Sequence, residues 1–146
     1  MQVGKALGGQ VTRAAVKEIG WGEVRLEDAV EAPGWFGSQR AAFLSFHWHG
    51  ETFTIPPGAT RILSSPWCAN QAFSLGKHLG LQCHIEMTED LVRAWCRSGE
   101  REIRASDSPT IMSMEAILAD LEPRLEALHQ VADSVYARWV RGLARA

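Results

Sequence analysis

Gly80-Leu81-Gln82-Cys83-His84-Ile85-Glu86, followed by Met87 and Thr88-Glu89-Asp90, is the stretch on which the reading of the fold turns. If residues 81–86 are extended, side chains alternate, so Gln82, His84 and Glu86 share one side and Leu81, Cys83 and Ile85 the other. Thr88 is then a helix N-cap, Glu89 and Asp90 sit where the helix dipole favours acids, and Gly99 is a C-terminal stop, which predicts a helix from about Glu89 to Ser98. His84 and Glu86 would then sit at the C-terminal end of a strand, where open α/β sheets place their ligand crevices. A histidine titrates near neutrality, and a neighbouring carboxylate fixes its tautomer and stabilises its protonated form. The pair is the second half of a Cys-His-carboxylate triad, although His-x-Glu by itself also describes many solvated pairs with no catalytic role.

Upstream of this stretch, His78 to His84 and Gln71 to Leu75 read as strands joined by a tight turn at Gly76-Lys77, and Arg61 to Ser65 as another. Pro56-Pro57-Gly58 enforces a turn, because proline fixes φ and glycine frees it. Ala41 to Trp48 is a compact apolar run that suits a buried strand. Glu31 to Gln39, with its glycines and proline, reads as a loop. Val11 to about Leu26 fits short strands interrupted at Glu18-Ile19-Gly20-Trp21. Val3 to Leu7 is helix-compatible, with Gly8-Gly9 where a C-cap glycine belongs, so the chain reads as beginning inside a helix.

Downstream, Met114, Leu118, Leu121, Leu125, Leu128, Ala132, Val135 and Trp139 recur at spacings of four and three and form one apolar stripe. Pro123 divides this region into two helices or kinks one. The stripe fits a helix covering its own sheet; a coiled-coil partner surface is the other use of such a face. The coarse organisation is a strand-rich body over residues 1–100 and a helical segment over 101–146 that packs on the same domain.

Composition bounds the function classes. The 146 residues are 46% hydrophobic and 22% charged, ordinary for a globular chain, with a net charge of -2. That balance predicts neither a nucleic-acid face nor a membrane-binding surface. No run approaches the roughly 20 apolar residues of a bilayer span, and the N-terminus lacks the apolar core of a signal peptide, so a cytoplasmic location is the expectation. Cys68, Cys83 and Cys96 are odd in number and have no Cys-x-x-Cys spacing, which points to packed, reduced thiols.

Phe46-His47-Trp48-His49-Gly50-Glu51-Thr52-Phe53-Thr54-Ile55-Pro56-Pro57-Gly58-Ala59, then Ser64-Ser65, then Asn70-Gln71-Ala72-Phe73, then Gly80 to Glu86, taken in this order, resemble stand-alone class I glutamine amidotransferases, which are similar to the glutaminase domain of GMP synthase. Ala6-Leu7-Gly8-Gly9 and Glu18-Ile19-Gly20-Trp21 extend the likeness, which covers residues 1 to about 98. The resemblance implies a flavodoxin-like α/β sheet with flanking helices and its N-terminal strands missing. It also implies release of ammonia from the glutamine side-chain amide, with no cofactor and an ammonia-accepting synthetase or substrate as a possible partner. In that family a cysteine thiolate attacks the carboxamide, a histidine activates the thiol and protonates the leaving ammonia, and a glutamate orients the histidine. His84 and Glu86 occupy the last two positions, and Trp48, Gly50 and Glu51 match the segment that holds substrate glutamine.

Two departures are small: Ile85 stands where proline is commonest and Glu51 where aspartate is usual. A third is large. The family's nucleophile sits at a Gly-x-Cys-x-Gly turn, and none occurs here. The resemblance therefore implies a C-terminal part of such a protein, inactive alone, with apolar sheet surface left exposed and a tendency to self-associate. A non-catalytic glutamine-binding or regulatory relative is the alternative.

A rival reading takes His47-x-His49 with Glu51 as a metal site, since histidines two apart on a strand share a face. The family blocks already account for that segment, so no metal is expected. Trp21, Trp67 and Trp95 read as core or cleft-wall residues, and His78 and His129 as ordinary surface or helix positions.

Overall fold

The structure is a computed structural model that describes residues 2–27, 30–37, 41–106 and 108–143. Among the described residues the elements follow in the order α1 (Gln2–Ala6), β1 (Val11–Leu26), α2 (Glu31–Phe36), β2 (Ala42–Phe53), β3 (Thr60–Ser64), β4 (Ala72–Leu75), β5 (His78–Leu81), α3 (Glu89–Ser98), α4 (Glu100–Arg104), α5 (Met114–Leu118) and α6 (Leu121–Leu143). The strands form one sheet in the order β2-β1-β3-β4-β5, every neighbour antiparallel. The mixed α/β class is as expected, with an antiparallel sheet across the described residues.

β1 is one strand where the sequence suggests several. It pairs with β2 from Val11↔Phe53 to Arg13↔Glu51 and again from Glu18↔His49 to Arg25↔Ala42. Between those two runs β1 advances five residues while β2 advances two, a bulge that absorbs the excess without ending the strand. Gly20 has φ 108°, and a Cβ there would lie 2.8 Å from Met112 Sδ, so glycine lets the strand continue beneath the 108–112 segment. The β4–β5 hairpin closes through Gly76 at φ 58°, as its turn composition predicts.

Beyond β5 the chain leaves regular strand geometry but still pairs. His84 N donates to Phe46 O at 2.8 Å and Phe46 N to His84 O at 3.2 Å, an isolated antiparallel bridge. β2 and β5 stand at opposite edges of the strand order, so this bridge brings the curled sheet back on itself.

Glu31–Phe36 is helical where its composition suggests a loop; residues 38–39 of that stretch lie outside the described residues. Pro33 is the third helical residue, where its missing N–H has no intrahelical acceptor to lose. Packing supplies what propensity lacks: Ala32, Trp35 and Phe36 are buried, and the Arg138 guanidinium of α6 lies 4.4 Å from the Trp35 ring centroid. A Cβ on Gly34 would meet Arg138 Nη1 at 1.7 Å, so the glycine is what admits that arginine.

α3 matches its expected span, with Thr88 Oγ1 accepting from Leu91 N at 3.3 Å. Gly99 ends it at φ -96°, outside the left-handed region, and α4 starts directly. The apolar stripe does divide into two helices, but at Ala119-Asp120, where Asp120 has φ 49°. Pro123 instead lies in the first turn of α6, another position with no acceptor to lose. α6 buries Leu121, Leu125, Leu128, Val131, Ala132 and Val135 in the same core as Phe36, Phe46, Ile62 and Leu63, while Trp139 is half exposed. At about 25 cal/mol per Å², each buried leucine contributes roughly 1.5–3 kcal/mol to holding α6 in place.

Candidate active site

His84 and Glu86 are brought together. His84 Nδ1 lies 2.7 Å from Glu86 Oε1, and the other carboxylate oxygen accepts from Ile85 N at 3.0 Å, so the glutamate is tethered to its own backbone while it holds the ring. Desolvation raises the Glu86 carboxyl, but the hydrogen bonds from His84 and from the backbone, with the charge of His84, outweigh it and leave its pKa below the ordinary value. Nε2 of His84 makes no hydrogen bond among the described residues, and its side chain is 26% exposed. A ring held through Nδ1 by a carboxylate has only Nε2 left with which to exchange a proton.

Trp95 of α3 packs edge to face on the His84 ring, centroids 4.9 Å apart. Trp48 of β2 stands at right angles to Trp95 at 5.9 Å and donates from Nε1 to Glu102 Oε2 at 2.9 Å. The hydrogen bond from Lys17, joined by that from Trp48, lowers the Glu102 carboxyl. Trp48, Trp95 and Glu102 wall an open cavity of about 340 Å³ with Ser98 and Gly99. Of the residues matched to substrate binding, Trp48 thus reaches His84 through Trp95. Gly50 and Glu51 form no hydrogen bond or ion pair with His84 or Glu86, although the Glu51 carbonyl accepts from Gln82 Nε2 at 2.8 Å. Gln82 is buried rather than presented beside His84, because the chain after Leu81 no longer alternates as a strand.

The cysteines are buried and free. Burial pushes the Cys83 thiol up to about 12 and raises that of Cys96. A thiol held protonated and away from solvent is a poor nucleophile.

β2 is buried on both faces at its middle. Opposite Phe46 and Trp48 lie His47 and His49, with Glu18 across on β1 and Ser65 and Gln71 following β3. Glu18 Oε1 accepts from Ser65 Oγ at 2.9 Å and Oε2 from Gln71 Nε2 at 3.0 Å. His49 Nε2 lies 3.4 Å from Glu18 Oε2, and His47 Nε2 lies 3.3 Å from Gly22 O. Desolvation lowers both histidines to about 4, helped at His47 by the charge of His49 and at both by that of His84, and desolvation likewise raises the Glu18 carboxyl. The carboxylate facing the two histidines is therefore Glu18, not Glu51, which is exposed. The cross-strand pairing Glu18↔His49 was hidden by the bulge.

Among proteins of known kind, a glutamine amidotransferase from Methylobacillus flagellatus superimposes with a TM-score of 0.92 at 42% identity over 96% of this chain and 58% of that one. The chain has a class I glutamine amidotransferase-like fold. A second amidotransferase structure, from Thermotoga maritima, gives a TM-score of 0.81 at 29% identity over 94% of this chain and 57% of that one. The glutamine amidotransferase-like protein YfeJ of Salmonella typhimurium is 30% identical over 105 residues, 69% of this chain. No family model matches. The amidotransferase-like chain spans 43% of YfeJ's length and under three fifths of either solved structure. Among the described residues no helix is long and apolar enough to cross a membrane.

Proposed function

We propose that this chain provides the histidine and carboxylate of a glutaminase site, His84 as general acid and base and Glu86 as the group that orients it. The observation that carries the reading is the 2.7 Å contact between His84 Nδ1 and Glu86 Oε1, which leaves Nε2 without a hydrogen bond among the described residues while the ring packs on Trp95, a wall of the Trp48–Trp95 cavity. In the reaction a thiolate adds to the glutamine carboxamide carbon. His84 takes the thiol proton and returns it to the leaving nitrogen, and water then releases glutamate from the acyl-enzyme. Glu86 stabilises the imidazolium without itself taking up the proton. Trp48, Gly50 and Glu51 are proposed to hold the substrate glutamine.

The thiolate does not come from the three cysteines described above, and no Gly-x-Cys-x-Gly turn is present in the 146 residues. The sulfur is supplied by a polypeptide segment bearing such a turn, and the ammonia passes to an acceptor synthetase or substrate. The test is ammonia release from glutamine by the purified chain, and by the same chain joined to a segment carrying that turn. The expected result is no release from the chain alone and release from the joined form that His84→Ala abolishes and Glu86→Gln reduces. Release that survives His84→Ala removes the mechanism.

A further inference from the structure

The buried polar cluster on the opposite face of β2 from Trp48 has no role in the amide chemistry above. Its composition is unusual in one respect: it is rich in acceptors and poor in hydrogens. Gln71 Nε2 lies 3.0 Å from Glu18 Oε2, 3.1 Å from Ser65 Oγ, 3.4 Å from His49 Nε2 and 3.5 Å from His47 Nδ1. One amide group has two hydrogens for these four neighbours. Among the described residues Gln71 Oε1, in a side chain with no exposed surface, has no hydrogen-bond partner, and neither does His49 Nδ1, which lies toward the Glu51 backbone without a well-formed hydrogen bond. Such deficits inside a fold call for an electron-poor group that is not among the protein atoms.

We propose that Glu18, His47 and His49 form a binding site for a divalent transition-metal cation, of which zinc fits best, with the Gln71 amide turned to offer Oε1 as a fourth ligand. One oxygen of Glu18 and one nitrogen of each imidazole all lie within 4.8 Å of one another. The 3.4 Å between His49 Nε2 and Glu18 Oε2 equals the spacing of about 3.4 Å that two ligands in a tetrahedron with bonds near 2.1 Å require. His47 carries the outer partner that such ligands characteristically have. Its Nε2–H is directed at Gly22 O, which leaves Nδ1 with its lone pair facing the cluster. Two imidazoles with one carboxylate select zinc and its neighbours over magnesium or calcium, which take oxygen ligands. A route in exists: a cavity of about 230 Å³ reaches Glu18 and His47 from the surface between Gly20, Met112 and the exposed Trp67. The ion would tie β1 to β2 just past the bulge, where the ladder is interrupted.

The proposal is independent of the glutaminase reading and is tested without measuring activity. The chain is stripped with EDTA, exchanged into metal-free buffer, and titrated with Zn²⁺ or Co²⁺ alone. The expected result is one equivalent retained through gel filtration, visible d–d bands of a four-coordinate Co²⁺ site, and a raised thermal transition. Glu18→Gln, which preserves the shape of the cluster, and His49→Gln should each weaken binding by at least about tenfold. His78→Ala, on an exposed residue, should leave it unchanged. Absence of stoichiometric retention, or retention that Glu18→Gln and His49→Gln leave intact, overturns the assignment. Should His49→Gln fail to fold, Glu18→Gln with the Co²⁺ spectrum decides.

Discussion

Mild acid should destabilise this protein through its two buried histidines. In the metal-free chain His47 and His49 are 1% and 8% exposed and held near a pKa of about 4, against 6.5 for a free imidazole. Unfolding returns both rings to water, so between pH 6.5 and 4 the unfolded chain binds more protons than the fold. Stability then rises with pH across that window, is complete above it, and is lost as pH falls through it. At pH 5 the difference is about 2 kcal/mol per ring and about 4 kcal/mol for the pair, a large share of the 5–15 kcal/mol typical of a domain. The other titratable neighbours are Glu18 on β1 and His84 after β5. The raised Glu18 carboxyl contributes with the opposite sign, because the fold takes up that proton more readily than the open chain, and so offsets part of the loss. At about 3 °C per kcal/mol for this size, the midpoint should fall by roughly 10 °C between pH 7.5 and pH 5. Circular dichroism melts in EDTA measure it, with a His47→Gln, His49→Gln double variant as reference. A midpoint that does not move over that range, or one that falls as far in the double variant, refutes the reasoning.

Three further outcomes are expected. Leu128→Ala removes a side chain with no exposed surface from the α6 face of the core and should cost about 2–5 kcal/mol in urea unfolding. Gly99→Ala places a Cβ 2.1 Å from Trp48 Cζ2, so the ring must shift; we expect a loss of about 1–3 kcal/mol and altered Trp48 indole signals in NMR spectra. Iodoacetamide at pH 8 should leave Cys68, Cys83 and Cys96 unmodified in the fold and alkylate all three in denaturant, read by mass spectrometry; rapid native labelling of Cys83 would contradict its burial.

Local chemistry made some of this legible in advance. Thr88 as a cap, Gly76 as a hairpin turn and the placing of His84 near Glu86 each depend on residues a few positions apart, where short-range geometry decides the outcome. Helix α2 was not legible, because Pro33 and Gly34 have loop preferences and the helix exists through Trp35, Phe36 and Arg138 meeting across the fold. Glu18 was missed for a related reason. Its position opposite His49 depends on how many residues the bulge absorbs, and nothing within β1 announces that number. Gln82 shows the limit of alternation, which fails as soon as a strand ends.

The Phe46–His84 bridge joins edge strand β2 to the chain just beyond the other edge strand, β5, so the curled sheet closes through a single pair of backbone hydrogen bonds. Such a closure gives way at its weakest link, and here that link carries the His84 imidazole. Loosening the clasp would free the short segment that bears His84 and Glu86 while the ladders from β2 through β5 still stand.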